Sequence, residues 1–137
     1  MGLTLSRVYL DTCLVIYFVE NHTRFGPAVT TALQQATGVQ FAISPLVELE
    51  TLVVPLRENN VLLVQHYERF FEQYLRLDIP QVVYRQAAKL RAQYSLKTPD
   101  ALHLAIAQHH GCSAFWTNDD RLQRIVSHYA VNVCASA

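Results

Sequence analysis

Glycine and proline are scarce in this chain, four and five of 137 residues, which argues against tails, linkers and low-complexity segments. Cysteine is scarce too. Cys13, Cys112 and Cys134 match neither a disulfide framework nor paired zinc-binding spacing, so the expectation is reduced thiols in a cytoplasmic protein. No excess of either charge exists: eleven Lys and Arg balance eleven Asp and Glu. A chain that grips a long stretch of nucleic acid by its phosphates is usually basic, so neutrality counts against a tight, sequence-blind binder. The longest near-apolar run, Cys13 to Val19, is too short to cross a bilayer, and no membrane association is expected. Met1-Gly2-Leu3-Thr4-Leu5-Ser6 lacks the basic and apolar regions of a signal peptide.

What is present is core material: 51% of the residues are hydrophobic. That suits one compact domain over residues 1–137 with a single core. Strands are expected at Arg7 to Leu10, Val39 to Ile43, Ser113 to Thr117 and Val131 to Cys134. Between them the pattern predicts helices from Cys13 to Val19, from Pro27 to Ala36 with Gly38 as a stop, and from Pro45 with Ser44 as its cap. Asn59-Asn60 breaks that last helix. A long amphipathic helix over Val61 to Leu77 follows, with Leu63, Tyr67, Phe70, Phe71 and Tyr74 on one face. Pro80 to Tyr94, Thr98 to Gly111 and Asp119 to Ser127 complete the helices. Short apolar strands separated by helices imply an α/β fold, a mainly parallel central sheet flanked by helices on both faces.

Four carboxylates sit where folding alone does not ask for them. Asp11 closes the run Val8-Tyr9-Leu10, and Asp119 follows Ala114-Phe115-Trp116. Both would project beyond the carboxyl ends of strands, where such folds bind ligands. Each also suits a helix cap. At 100° per residue, Leu46, Leu49, Val53 and Leu56 form one stripe with Glu50 about 40° from Leu46, while Glu48 lies opposite, near Pro55. Glu50 is therefore expected to point inward and Glu48 towards water; the competing role for Glu50 is a buried ion pair with an arginine. Asp100 stands in a first helical turn, where the helix N-terminus favours a negative charge. His103, among Leu102, Leu104 and Ile106, reads as a packed, hydrogen-bonded histidine; no other histidine has ligand spacing. Taken together the acids describe an all-oxygen site for Mg²⁺ or Mn²⁺ rather than zinc, of the kind that serves phosphoryl chemistry.

Four segments carry a family resemblance. Tyr9-Leu10-Asp11-Thr12 with Val15-Ile16 resembles the opening motif of PIN-domain ribonucleases. Ser44-Pro45-Leu46-Val47-Glu48-Leu49-Glu50, continuing to Pro55-Leu56-Arg57, resembles the helix that carries their glutamate. Thr98-Pro99-Asp100-Ala101-Leu102-His103-Leu104-Ala105 and Phe115-Trp116-Thr117-Asn118-Asp119-Asp120-Arg121-Leu122 resemble their third and fourth acidic motifs. The match spans nearly the whole chain in order. The compact length and the Pro-Leu-Arg ending of the second motif are most similar to VapC-type toxins of bacterial toxin–antitoxin pairs.

The resemblance implies a single PIN-like domain that hydrolyses RNA phosphodiesters with an Mg²⁺- or Mn²⁺-activated water and no covalent enzyme intermediate. It implies Asp11, Glu50, Asp100 and Asp119 as metal-binding and catalytic acids, supported by Thr12 and Asn118, with Asp120 as the stand-in for Asp119 that the Thr-Asn-Asp pattern disfavours. It also implies a cognate antitoxin and a homodimeric toxin. Tyr17, Phe18 and Phe25, with the aromatic face of the Val61 to Leu77 segment, are the surface offered for those contacts, and core packing is the competing and preferred role for most of them. Cys13 and Val47 depart from the family pattern, at a small polar position and a frequent threonine; weaker support for the site is the expected cost. The alternative from another class is a non-catalytic PIN-like module that binds RNA or protein. A phosphatase of the haloacid-dehalogenase type would need a second Asp where Cys13 stands.

Overall fold

Every strand of the sheet is positioned by β1 (Ser6–Leu10), and its composition shows why. Val8, Tyr9 and Leu10 point alternately to opposite faces of a strand, and all three are buried. A strand covered on both sides must lie at the centre of a parallel sheet between layers of helix. The computed structural model describes residues 6–136. The N-terminal segment in which the signal-peptide pattern is missing lies outside them, apart from Ser6.

From β1 the chain forms α1 (Thr12–Val19), α2 (Gly26–Gln35) and β2 (Val39–Ile43). Next come α3 (Pro45–Arg57), α4 (Val61–Glu72) and the two-residue β3 (Leu75–Arg76). The last part is α5 (Gln81–Tyr94), α6 (Thr98–His109), β4 (Ala114–Thr117), α7 (Asp120–Ile125) and β5 (Ala130–Asn132). The sheet order is β3-β2-β1-β4-β5, with every pairing parallel. The chain builds outward from β1 through β2 to β3, then returns to lay β4 on the other side of β1. The reversal between β1 and β4 opens a crevice at their carboxyl ends. Asp11 and Asp119 stand there, and the Asp11 amide donates to the Trp116 carbonyl at 2.9 Å. Gly111 (φ +70°) takes the left-handed conformation that stops α6, whereas α2 ends at an extended Ala36, before the left-handed Gly38 (φ +67°) is reached. Among the described residues no helix is long and apolar enough to cross a membrane.

Two expectations are corrected, and a choice left open between core and contact surface is decided. The amphipathic segment after Asn60 does not run to Leu77. Helix α4 stops at Glu72, and Leu75 and Arg76 pair with Ala42 and Ile43 as β3. Two residues carry little periodicity, but they satisfy the open edge of β2, and Leu77 N donates to Ile43 O at 2.8 Å. The aromatic face of α4 is core rather than contact surface: Tyr67, Phe70 and Phe71 are buried. Phe70 meets Phe18 at 5.7 Å between ring centroids, and the Tyr67 hydroxyl bonds Glu20.

The second correction concerns α3. Its buried face is Val47, Thr51 and Pro55, whereas Leu49 (61% exposed), Val53 and Leu56 (58% exposed) face outward. Small and kinked side chains bury this helix against its neighbours, and the Thr51 hydroxyl is satisfied by the Glu48 carbonyl at 3.1 Å. The large apolar stripe that marks a core face in most helices is here a surface. Glu48 is not simply solvated either. It lies partly covered and pairs with Arg76 at 2.8 Å across to β3.

Candidate functional site

Two of the four acids are placed by helix capping at the end of a strand. Where β1 ends, α1 begins, and its orphan amides need acceptors. Asp11 Oδ1 accepts from Thr12 N at 2.8 Å. Where β4 ends, α7 begins, and Asp119 Oδ1 accepts from Arg121 N at 2.9 Å and Leu122 N at 3.2 Å. The buried Thr117 side chain links the pair. Its Oγ1 donates to Asp11 Oδ2 at 2.8 Å and accepts from Asp119 N at 3.0 Å. The capping role and the position beyond the strands thus belong to the same side chains.

Asp100 lies in the first turn of α6, partly buried, and no donor among the described residues reaches it. Burial raises its pKa above the usual carboxyl value, and the charges of Asp11 and then Asp119 raise it further. His103 and Lys97 offset part of this. Three acids from β1, α6 and β4 therefore sense one another.

Glu50 reaches the same region from α3. Its Oε1 accepts from Thr12 Oγ1 at 2.6 Å and from His103 Nε2 at 2.6 Å. Burial pushes its pKa up, but the hydrogen bonds from His103 and Thr12 and the attraction of the His103 ring outweigh it, leaving the carboxyl below its ordinary value. The partner of Glu50 is a histidine, at hydrogen-bond distance, and the arginine partner belongs to Glu48. His103 is packed and hydrogen-bonded as its setting among apolar residues suggests, 2% exposed, with Nδ1 2.7 Å from the Tyr9 hydroxyl.

The other expected residues divide. Thr12 joins Asp11 to Glu50 through its backbone amide and its hydroxyl. Asn118 turns away from the acids, and its Nδ2 donates to the Tyr17 hydroxyl at 3.1 Å. Asp120 is taken up by Asn132 Nδ2 at 2.7 Å, on the side of β5. Cys13 is partly covered beside Asp11; burial first, and the Asp11 charge second, push its thiol far above the ordinary range, so it stays protonated. Val47 is fully buried in the core. Sequence reasoning passed over Thr117, Tyr9 and Ser44. The signal for each is a hydroxyl at or beside the end of an apolar strand, where burial demands a partner.

The fit of a divalent cation follows from the donors. Among the described residues no three of these side chains converge on one point as they stand. Asp11, Asp119 and Glu50 each have local donors, and Asp100 does not. A partly buried carboxylate without a donor, facing two others, is the arrangement a hard cation relieves, and the oxygen-only donor set suits Mg²⁺ or Mn²⁺.

Comparison with known proteins agrees with this architecture. The PIN domain family matches residues 8–127. A toxin–antitoxin complex from Klebsiella pneumoniae superposes with a TM-score of 0.74 at 23% identity, over 92% of this chain and 97% of that one. VapBC2 from Rickettsia felis, bound to a DNA fragment from its promoter, gives 0.76 at 17%, over 92% and 98%. VapC20 from Mycobacterium tuberculosis, a toxin that cleaves the sarcin–ricin loop, gives 0.70 at 13%, over 85% and 94%. No curated protein sequence matches the chain significantly.

Proposed function

The chain belongs to the PIN-domain family, and from that premise we propose that it is an Mg²⁺- or Mn²⁺-dependent endoribonuclease, the toxin of a toxin–antitoxin pair. The observation that carries the reading is Asp100, partly buried and without a donor, electrostatically opposed by Asp11 and Asp119, while Glu50 is anchored by Thr12 and His103.

Asp11, Glu50, Asp100 and Asp119 would hold the cation. It would supply Lewis acidity, making a water nucleophilic and offsetting charge on the departing oxygen. The chain's own residues set the rest. Thr12 and Thr117 keep Asp11 and Glu50 turned into the crevice. The caps on α1 and α7 hold Asp11 and Asp119 to rigid strand ends, so their separation is fixed before substrate arrives. The chain is neutral and needs its cation to meet phosphate, with Lys97 and Arg121 exposed beside Asp100 and Asp119 as further positive charge. The one histidine among these groups has both ring nitrogens engaged, by Tyr9 and by Glu50. It is not free to act as base or acid on a 2′-hydroxyl, which favours attack by water and a 5′-phosphate product.

Partners follow the same reading. The solved neighbours include toxin–antitoxin complexes, and the exposed Leu49, Val53 and Leu56 of α3, with Val61 and Leu62 of α4, supply the apolar area that a second copy or an antitoxin would cover. RNA incubated with the protein and Mg²⁺ should be cut to 5′-phosphate and 3′-hydroxyl ends, with EDTA and Glu50→Gln each abolishing the cut and Glu48→Gln leaving it. Cyclic phosphate ends would overturn the mechanism. RNA bound but uncut in both metals would overturn the enzyme and leave a binding module.

A further inference from the structure

The Ser44 hydroxyl is the N-terminal cap of α3 by position yet makes no capping bond. It lies instead 2.7 Å from the Tyr9 hydroxyl, buried under the sheet. Tyr9 in turn is 2.7 Å from His103 Nδ1, and His103 Nε2 is 2.6 Å from Glu50 Oε1. Four residues from β1, the end of β2, α6 and α3 form one line of hydrogen bonds that ends on a carboxylate. Resting on the metal-site reading above, we propose that Tyr9 and His103 are positioning residues, whose donor chain orients Glu50 so that its second oxygen, Oε2, is presented to the cation.

The donor directions follow from the chemistry of the ends. A carboxylate only accepts, so Nε2 must carry the hydrogen that bonds Glu50. A neutral ring then has a bare Nδ1, which accepts from the Tyr9 O–H, and the Tyr9 oxygen accepts from Ser44. Every donor is used and all run one way. Thr12 Oγ1 adds a second donor to the same Oε1 at 2.6 Å. Among the described residues no donor reaches Oε2, so both holds act on one oxygen and leave the other for a ligand. The line is also rigid. Tyr9 stacks on Phe115 with 5.5 Å between centroids and 9° between planes, and Tyr9, Ser44 and His103 are all buried. A partly buried glutamate on α3 still has several rotamers available, and this contact selects one.

A side chain that fixes a metal ligand shows itself in affinity and not only in stability. Mn²⁺ titration of the metal-free protein, followed by calorimetry, should show His103→Leu weakened about 10- to 100-fold. His103→Gln, whose amide nitrogen can replace the Nε2 donor, should recover most of that loss. Tyr9→Phe removes one oxygen and tests the outer link should His103→Leu fail to fold; its Mn²⁺ affinity should fall as well. Nitrogen-15 NMR of the wild type should show the Nε2–H tautomer, with the Nδ1–H form growing in Tyr9→Phe. An Nδ1–H tautomer in the wild type, or wild-type affinity in a folded His103→Leu or Tyr9→Phe protein while Asp100→Asn loses Mn²⁺, overturns the positioning role alone. A wild type that binds no Mn²⁺ overturns the metal reading, and the positioning role with it.

Discussion

Thr117→Val tests whether one buried hydroxyl couples the two strand ends. Valine keeps the shape of threonine but not its hydroxyl, so the swap is not conservative where that hydroxyl is used. Thr117 Oγ1 makes two bonds, donating to Asp11 at 2.8 Å and accepting from the Asp119 amide at 3.0 Å, in a side chain with no exposure. A bond to an ionised partner contributes about 1.5–3 kcal/mol, and stranding the buried amide adds roughly 1 kcal/mol. The loss should be about 2–4 kcal/mol. A chain of 137 residues unfolds with an entropy near 0.3 kcal/mol/K at about 2.1 cal/mol/K per residue, so Tm should drop by about 7–14 °C. Calorimetric melting of the metal-free protein reads this directly, with Thr117→Ser as the control that keeps the hydroxyl. Mn²⁺ affinity should fall in the same variant, because Asp11 and Asp119 lose their common tether. A Thr117→Val protein that melts within about 2 °C of wild type and binds Mn²⁺ equally would refute the coupling.

Asp100→Asn should cut Mg²⁺-dependent cleavage about 100- to 1,000-fold, the scale for removing one group that stabilises developing charge. Its effect on stability has the opposite sign. The folded-state pKa of Asp100 is raised by burial, Asp11 and Asp119, so the native state holds that proton more tightly than the unfolded chain. Wild-type stability is then lost as pH rises from the unfolded carboxyl value through the folded one. In EDTA the variant should melt above wild type at neutral pH, with the gap closing in acid; equal melting at both would refute the repulsion. Phe70→Ala on α4 should cost about 3–5 kcal/mol, roughly 10–17 °C in Tm, since that ring is core. Leu49→Ser and Val53→Ser on α3 should stay within about 0.5 kcal/mol, weakening self-association or antitoxin capture by light scattering and pull-down instead.

Much of the molecule is legible along the chain because local rules decide it. β2 is read residue for residue, and β1, β4 and the helices α1, α2, α5 and α6 to within a residue or two, as capping, glycine stops and apolar runs act over a few neighbours. Asp11 and Asp119 are legible for the same reason: an acid just after an apolar strand both caps the next helix and stands beyond the strand's carboxyl end. Pairing across the sheet is not local. β3 exists because Leu75 and Arg76 meet the open side of β2, and nothing in two residues announces that. The face α3 buries was misread because its periodicity is apolar on the outside; the neighbours of Val47, Thr51 and Pro55 decide which stripe goes in. Glu50 faces the acids all the same, held by Thr12 and His103, 38 and 53 positions away. The sequence alone determined the fold class and the position of the strand-end acids, since those follow from residue type and short spacing. Only the tertiary structure decided which hydroxyls and which histidine hold the acids, because hydrogen bonds between distant segments depend on how the layers pack, and periodicity carries no record of that.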